Sequence, residues 1–146
     1  HLSSKIVIAP RNRNWLREKN KRLEFWQKIV DAFPKQVSVI GAKDSTYKLK
    51  NTKYNSYDYI DVDSDVSLIE NSEVIICQDS GLLYLALLFD KPIICVENLH
   101  VCSDKMGNQQ GKVLAKMFEA HRTTPLIEAK AMTWSQVIQQ IIKICP

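Results

Sequence analysis

No apolar run in the sequence comes near the roughly 20 residues needed to cross a bilayer, so no membrane span is expected. Residues 1–4 lack the apolar core of a secretory signal. Four cysteines occur, Cys77, Cys95, Cys102 and Cys145, without any C-x-x-C spacing. Cys77 and Cys95 fall inside strand-like runs, where free cysteine behaves as a small hydrophobe. Reduced, structural thiols in a cytosolic setting are expected, with a disulfide or metal role as the alternative. His100 and His121 stand far from any acid–nucleophile grouping, which argues against a triad. Internal repeats and low-complexity tracts are also absent, so the chain is not an array of small units.

What is present is ordinary in amount and uneven in placement. The 146 residues fit a single domain, 1–146, with a complete core, and 45% apolar and 25% charged content suit a globular fold. The formal charge of +4 hides an asymmetry. Residues 1–30 carry Lys5, Arg11, Arg13, Arg17, Lys19, Lys21, Arg22 and Lys28 against Glu18 and Glu24, a net +6, so the rest of the chain sums to −2. Such a patch reads as a solvated face or as a basic loop serving a phosphorylated ligand; nucleic acid is the least favoured partner.

Strand-like and helix-like patterns alternate along the chain. Residues 5–9 form a buried-type strand ended by Pro10, and a basic loop containing Trp15 follows. Leu23, Trp26, Ile29, Val30 and Phe33 recur at helical spacing up to Pro34. Residues 37–40 predict a second strand and 59–62 a short third one, with a polar loop over 42–57 between them. A small helix is expected from Asp65. Residues 112–120 have a helical pattern, a strand after His121 is weakly signalled, and Thr133 caps a last helix over 134–144. The alternation predicts an α/β three-layer, Rossmann-like sandwich with a mainly parallel sheet of about five strands.

The richest stretch is 73–96. The run 74–77 reads as a buried strand that stops at Asp79-Ser80-Gly81; a helix with Leu82, Leu85, Ala86 and Phe89 on its apolar face follows, and Pro92 opens another buried run. This is a βαβ unit, whose turn sits where ligands bind in open parallel sheets. Ser80 is a good N-cap, and the amides of Gly81, Leu82 and Leu83 at a helix start suit a phosphate. Plainer readings stand beside these: Asp79 satisfying turn amides, Ser80 as a cap alone, Tyr84 as a packing residue, Trp15 as an edge residue rather than a stacking platform.

Asp79-Ser80-Gly81-Leu82-Leu83-Tyr84-Leu85-Ala86 followed by Lys91-Pro92-Ile93-Ile94 resembles the C-terminal, nucleotide-sugar-binding half of glycosyltransferases of the heptosyltransferase type, glycosyltransferase family 9-like. Tyr84 replaces the family's usual histidine. Strand 5–9, loop 10–22 and Trp26 follow the family's order, as do Gly41-Ala42 and the closing Thr-capped helix, although no Trp-Pro follows a lysine in the loop. The resemblance implies one half of a GT-B fold. It also implies donor-diphosphate contacts from Ser80, Gly81, Leu82, Lys19 and Arg13, and nucleoside contacts from Asp44 and Asp79.

The expected function is accordingly the donor-binding half of a glycosyltransferase, holding the leaving diphosphate at the Asp79-Ser80-Gly81 turn. Asp61-Val62-Asp63 has Asp-x-Asp lettering at an expected strand end, so a metal-independent reaction without cofactor is favoured. The acceptor-activating base would come from an N-terminal acceptor-binding domain, leaving this domain inactive alone and its own catalytic residues unassigned. The competing class is a stand-alone, non-catalytic Rossmann-like module that binds a nucleotide or another protein. Either is expected in the cytoplasm.

Overall fold

Alternation within each strand sorts the core into two layers. The computed structural model describes residues 2–14, 21–57, 61–78, 81–96, 126–128 and 132–146. The strands are β1 (Ser4–Ile8), β2 (Val37–Val39), β3 (Tyr54–Asn55), β4 (Ser72–Cys77), β5 (Ile93–Cys95) and β6 (Leu126–Glu128). The helices are α1 (Leu23–Ala32), α2 (Val62–Glu70), α3 (Gly81–Leu88) and α4 (Trp134–Ile144). Ile6, Ile8, Val74, Ile76 and Ile94 face one layer with Trp26, Ile29, Val137 and Ile141 of α1 and α4. Val7, Ile75, Cys77, Ile93 and Cys95 face the other with Leu68, Ile69, Leu83 and Ala86 of α2 and α3. Burial on both faces explains the apolar runs 6–9, 74–77 and 93–96.

The described strands form one sheet in the order β3-β2-β1-β4-β5-β6, and every pairing is parallel. This is a Rossmann-like α/β sandwich. Strand order reverses between β1 and β4, so the loops leaving those two strands diverge and open a crevice at the sheet's C-terminal edge.

Helix ends follow local chemistry. Thr133 and Gln136 close a capping box at α4, with bonds of 3.2 and 2.9 Å. α3 stops because Asp90 takes positive φ (52°), its N–H donating to Leu87 O and that of Lys91 to Ala86 O, before Pro92 blocks continuation. Cys77, Cys95 and Cys145 are buried and outside any disulfide, and burial pushes the Cys145 thiol up to about 11, which keeps it unreactive. Cys102 and residues 112–120 lie outside the described residues.

Two expectations need correction. The third strand is Tyr54–Asn55, inside the stretch read as a loop, while Asp61 caps α2 and Val62 is helical. Residues 58–60 lie outside the described residues. Ladder bonds from Lys53 N–H to Val37 O and from Ser56 N–H to Val39 O extend β3, so backbone pairing at this edge takes the place of an apolar run. α3 also turns differently from its predicted face. Leu83, Ala86 and Leu87 are buried, whereas Leu82 and Leu85 line the cleft described below. The weakly signalled strand after His121 is present as β6.

Candidate functional site

Backbone and amide bonds bind the ends of β1, β2 and β4 to one another. Ala9 N–H donates to Ile76 O at 2.9 Å and Ile40 N–H to Ile8 O at 3.0 Å, carrying the ladder past the strand ends. Gln78, buried at the exit of β4, accepts from Arg11 N–H at 3.1 Å. Asn12 N–H reaches Ser45 O at 2.9 Å, joining the β1 loop to the turn after β2. That turn begins at Gly41, whose φ of +143° suits only glycine and whose carbonyl accepts from Ser56 Oγ at 2.7 Å.

Between these ends lies a cleft of about 490 Å³, a volume typical of small-molecule sites. Its walls include Arg11 and Arg13 from β1, Gly41 and Ser45 from β2, Gln78 from β4, Gly81, Leu82 and Leu85 from α3, and Val62 and Asp65 from α2. The first N–H groups of any α-helix lack intrahelical partners, and the helix dipole adds partial positive charge there. Gly81 and Leu82 open α3 at this wall, and a Cβ added at Gly81 meets nothing within 4 Å. Two arginines and a helix start lining one cleft suit an anion.

The expected site residues separate on inspection. Gly81, Leu82 and Arg13 come together in the cleft. Asp44 is exposed in the turn after Gly41 and is not part of the lining, although its neighbour Ser45 is. Lys19, Asp79 and Ser80, with Trp15, lie outside the described residues. The basic loop also divides: Arg11 and Arg13 reach the cleft, whereas Lys21 and Arg22 border a separate hollow with Phe25 and Trp134. Tyr84 is half-buried against the α2–α3 core layer, in line with packing. Asp61 is a helix cap, accepting from Asp63 N–H at 3.0 Å and Ser64 Oγ at 2.8 Å, with its pKa lowered first by the Ser64 bond.

Asp65 was missed by the sequence reading. It sits one turn after Asp61, and Val62 and Asp65, at i and i+3, share the face of α2 turned to the cleft. Burial, and secondarily the charge of Asp61, pushes its carboxyl from 3.8 up to about 6. A raised folded-state pKa means that the native chain holds a proton more tightly than the unfolded chain between pH ~4 and ~6. Ionised Asp65 therefore destabilises the fold fully above pH ~6 and not below pH ~4. After discounting for its partial exposure, the cost is about 1 kcal/mol. Asp65→Asn should raise Tm by roughly 2–4 °C at pH 8 and leave it unchanged at pH 4; equal shifts at both pH values would disprove the desolvation argument.

Neither a protein-family model nor a curated protein matches the chain. Among solved structures, it is similar to the crystal structure of the glycotransferase of kitacinnamycin, with 11% sequence identity and a TM-score of 0.56. The match covers 97% of this chain and 35% of that one. The chain thus has a Rossmann-like α/β fold shared with that glycotransferase, and it spans 35% of that protein's length. Among the described residues, no helix is long and apolar enough to cross a membrane.

Proposed function

We propose that the chain is the nucleotide-sugar-binding half of a metal-independent GT-B glycosyltransferase, of the heptosyltransferase type suggested by residues 79–94. The observation that carries this reading is the cleft at the β1/β4 switch point, where Arg11, Arg13, Gly81 and Leu82 share one wall system. The glycosyltransferase-like fold supports it at a coarser level.

The chemistry follows from where charge develops. As the glycosidic bond breaks, negative charge builds on the leaving diphosphate. Amide donors and guanidinium groups held in place by the strand ends bind that charge more strongly in the transition state than in the ground state, which lowers the barrier. Activation of the acceptor hydroxyl falls to a partner domain. Lys19, Asp79 and Ser80 belong to the same proposed diphosphate and nucleoside site.

Titration of the chain with UDP, GDP and ADP tests the reading. Millimolar or tighter binding of at least one is expected. Arg13→Ala should weaken it about tenfold or more, since a charge-assisted hydrogen bond contributes on the order of 1.5–3 kcal/mol. Lys21→Ala should change little, because Lys21 lies over the Phe25 ring at 5.5 Å beside the separate hollow. No binding of any of the three would instead favour a protein-binding module.

A further inference from the structure

Asp65 holds a carboxyl group in a place where the fold makes no visible use of it. Its backbone N–H donates to Asp61 O, as any helical residue's would, but its Oδ1 is buried and accepts no hydrogen bond. The cap of α2 is completed by Asp61 alone. Both causes acting on its ionisation, burial and Asp61, oppose the charged form, and among the described residues no cation pulls it back. A desolvated, unpartnered carboxylate oxygen is an uncompensated cost within the folded chain. The terminal torsion of aspartate is soft, so either oxygen can be offered to the cleft that the residue lines.

The rest of the lining narrows what could complete it. Arg11 and Arg13 share the cleft with Asp65 and repel a cationic ligand. A phosphate against Asp65 would meet a like charge. A neutral O–H satisfies the acceptor without either conflict, and a nucleotide sugar carries anionic oxygens and neutral hydroxyls in one molecule.

We propose that Asp65 is the hydroxyl acceptor of this cleft: its carboxylate takes a hydrogen bond from a sugar hydroxyl of the ligand whose phosphates lie against Gly81 and Arg13. The inference rests on the nucleotide-sugar reading of the cleft. Asp65 is then a specificity-determining residue, rewarding a ligand with a hydroxyl-bearing sugar over a bare phosphate.

The test uses the full chain, native, Asp65→Asn and Asp65→Leu, titrated by calorimetry. The probes are the tightest of UDP, GDP and ADP, the glucose ester of that nucleotide, and inorganic pyrophosphate. Both substitutions remove a desolvated charge, so the fold is retained. Asp65→Leu should weaken a sugar-bearing probe about tenfold or more and leave pyrophosphate as tight or tighter; Asp65→Asn, which keeps an acceptor oxygen, should lose less. A loss already present with the diphosphate puts the hydroxyl on the ribose, and a loss confined to the glucose ester puts it on the hexose. Because the hydrogen bond favours the ionised carboxylate, native chain at pH 6 should release more protons on binding than Asp65→Asn. Native affinity for all probes in Asp65→Leu, or equal weakening of pyrophosphate and nucleotide, overturns the inference. If Arg13→Ala and Gly81→Val abolish binding while Asp65→Leu spares it, the cleft reading stands and only the role of Asp65 falls. No binding of any probe to native chain overturns both.

Discussion

Gly41→Ala should cost the fold about 2–6 kcal/mol, while Gly81→Ala, on the same cleft, should cost nothing. Gly41 has φ of +143°, a backbone region that side chains disfavour by about 1–3 kcal/mol. An added Cβ would also meet Thr46 Cβ at 3.0 Å, and Thr46 is itself buried, so crowding adds about 1–3 kcal/mol. The same turn holds the Ser56 bond and the Ser45 lining, so the cleft is disturbed together with the fold. At Gly81 no atom lies within 4 Å of the new Cβ, and alanine is the better helix former by roughly 1 kcal/mol. Stability should hold or rise there while nucleotide affinity falls, further for Gly81→Val, because the Cβ would enter the space proposed for the phosphates. Denaturant unfolding and nucleotide titration on both variants separate a glycine required by the backbone from one required by a ligand. A Gly81 variant with unchanged affinity would remove that residue from the site.

Trp26→Ala should cost about 3–5 kcal/mol, a large part of the 5–15 kcal/mol that holds a typical domain together. Trp26 is fully buried in the layer under α1 and α4, and Phe25 meets it edge-on at 5.1 Å between ring centroids. Its indole N–H, however, is buried with no hydrogen-bond partner. Leaving such a donor unmade costs about 1–3 kcal/mol, and phenylalanine deletes it while keeping an aromatic ring. Trp26→Phe should therefore destabilise far less than Trp26→Ala, by under about 2 kcal/mol. Urea unfolding of the two variants gives the comparison. Equal losses would mean that ring size alone, not the unmet donor, sets the energy of this position.

Local chemistry accounts for the parts that the sequence determined by itself. β1, β4 and β5 carry the apolar runs 6–9, 74–77 and 93–96 because both of their faces are covered there, and α1 is bounded by an apolar stripe that ends before Pro34. Thr133 and Gln136 announce the start of α4 within four residues, and Asp90-Lys91-Pro92 stops α3 within three. Each signal involves neighbours along the chain, so no knowledge of the sheet is needed to read it. The βαβ order of β4, α3 and β5 follows from such signals.

Only the tertiary structure decided which side chains meet. β3 is held by backbone bonds to β2, and nothing in Tyr54–Asn55 distinguishes those residues from a loop until the sheet edge is present. Arg13 and Lys21 carry the same charge in one basic stretch, yet one reaches the cleft and the other lies beside Phe25, because the β1 loop is fastened to Gln78 and Ser45 at its start. Asp65 is one of two acids in the first turn of a short helix, and only the packing of α2 beside α3 turns it toward the cleft that Gly81 also lines. A periodic pattern says that a helix has a buried face. It does not say what stands opposite, because that depends on a strand order set by contacts among segments tens of residues apart.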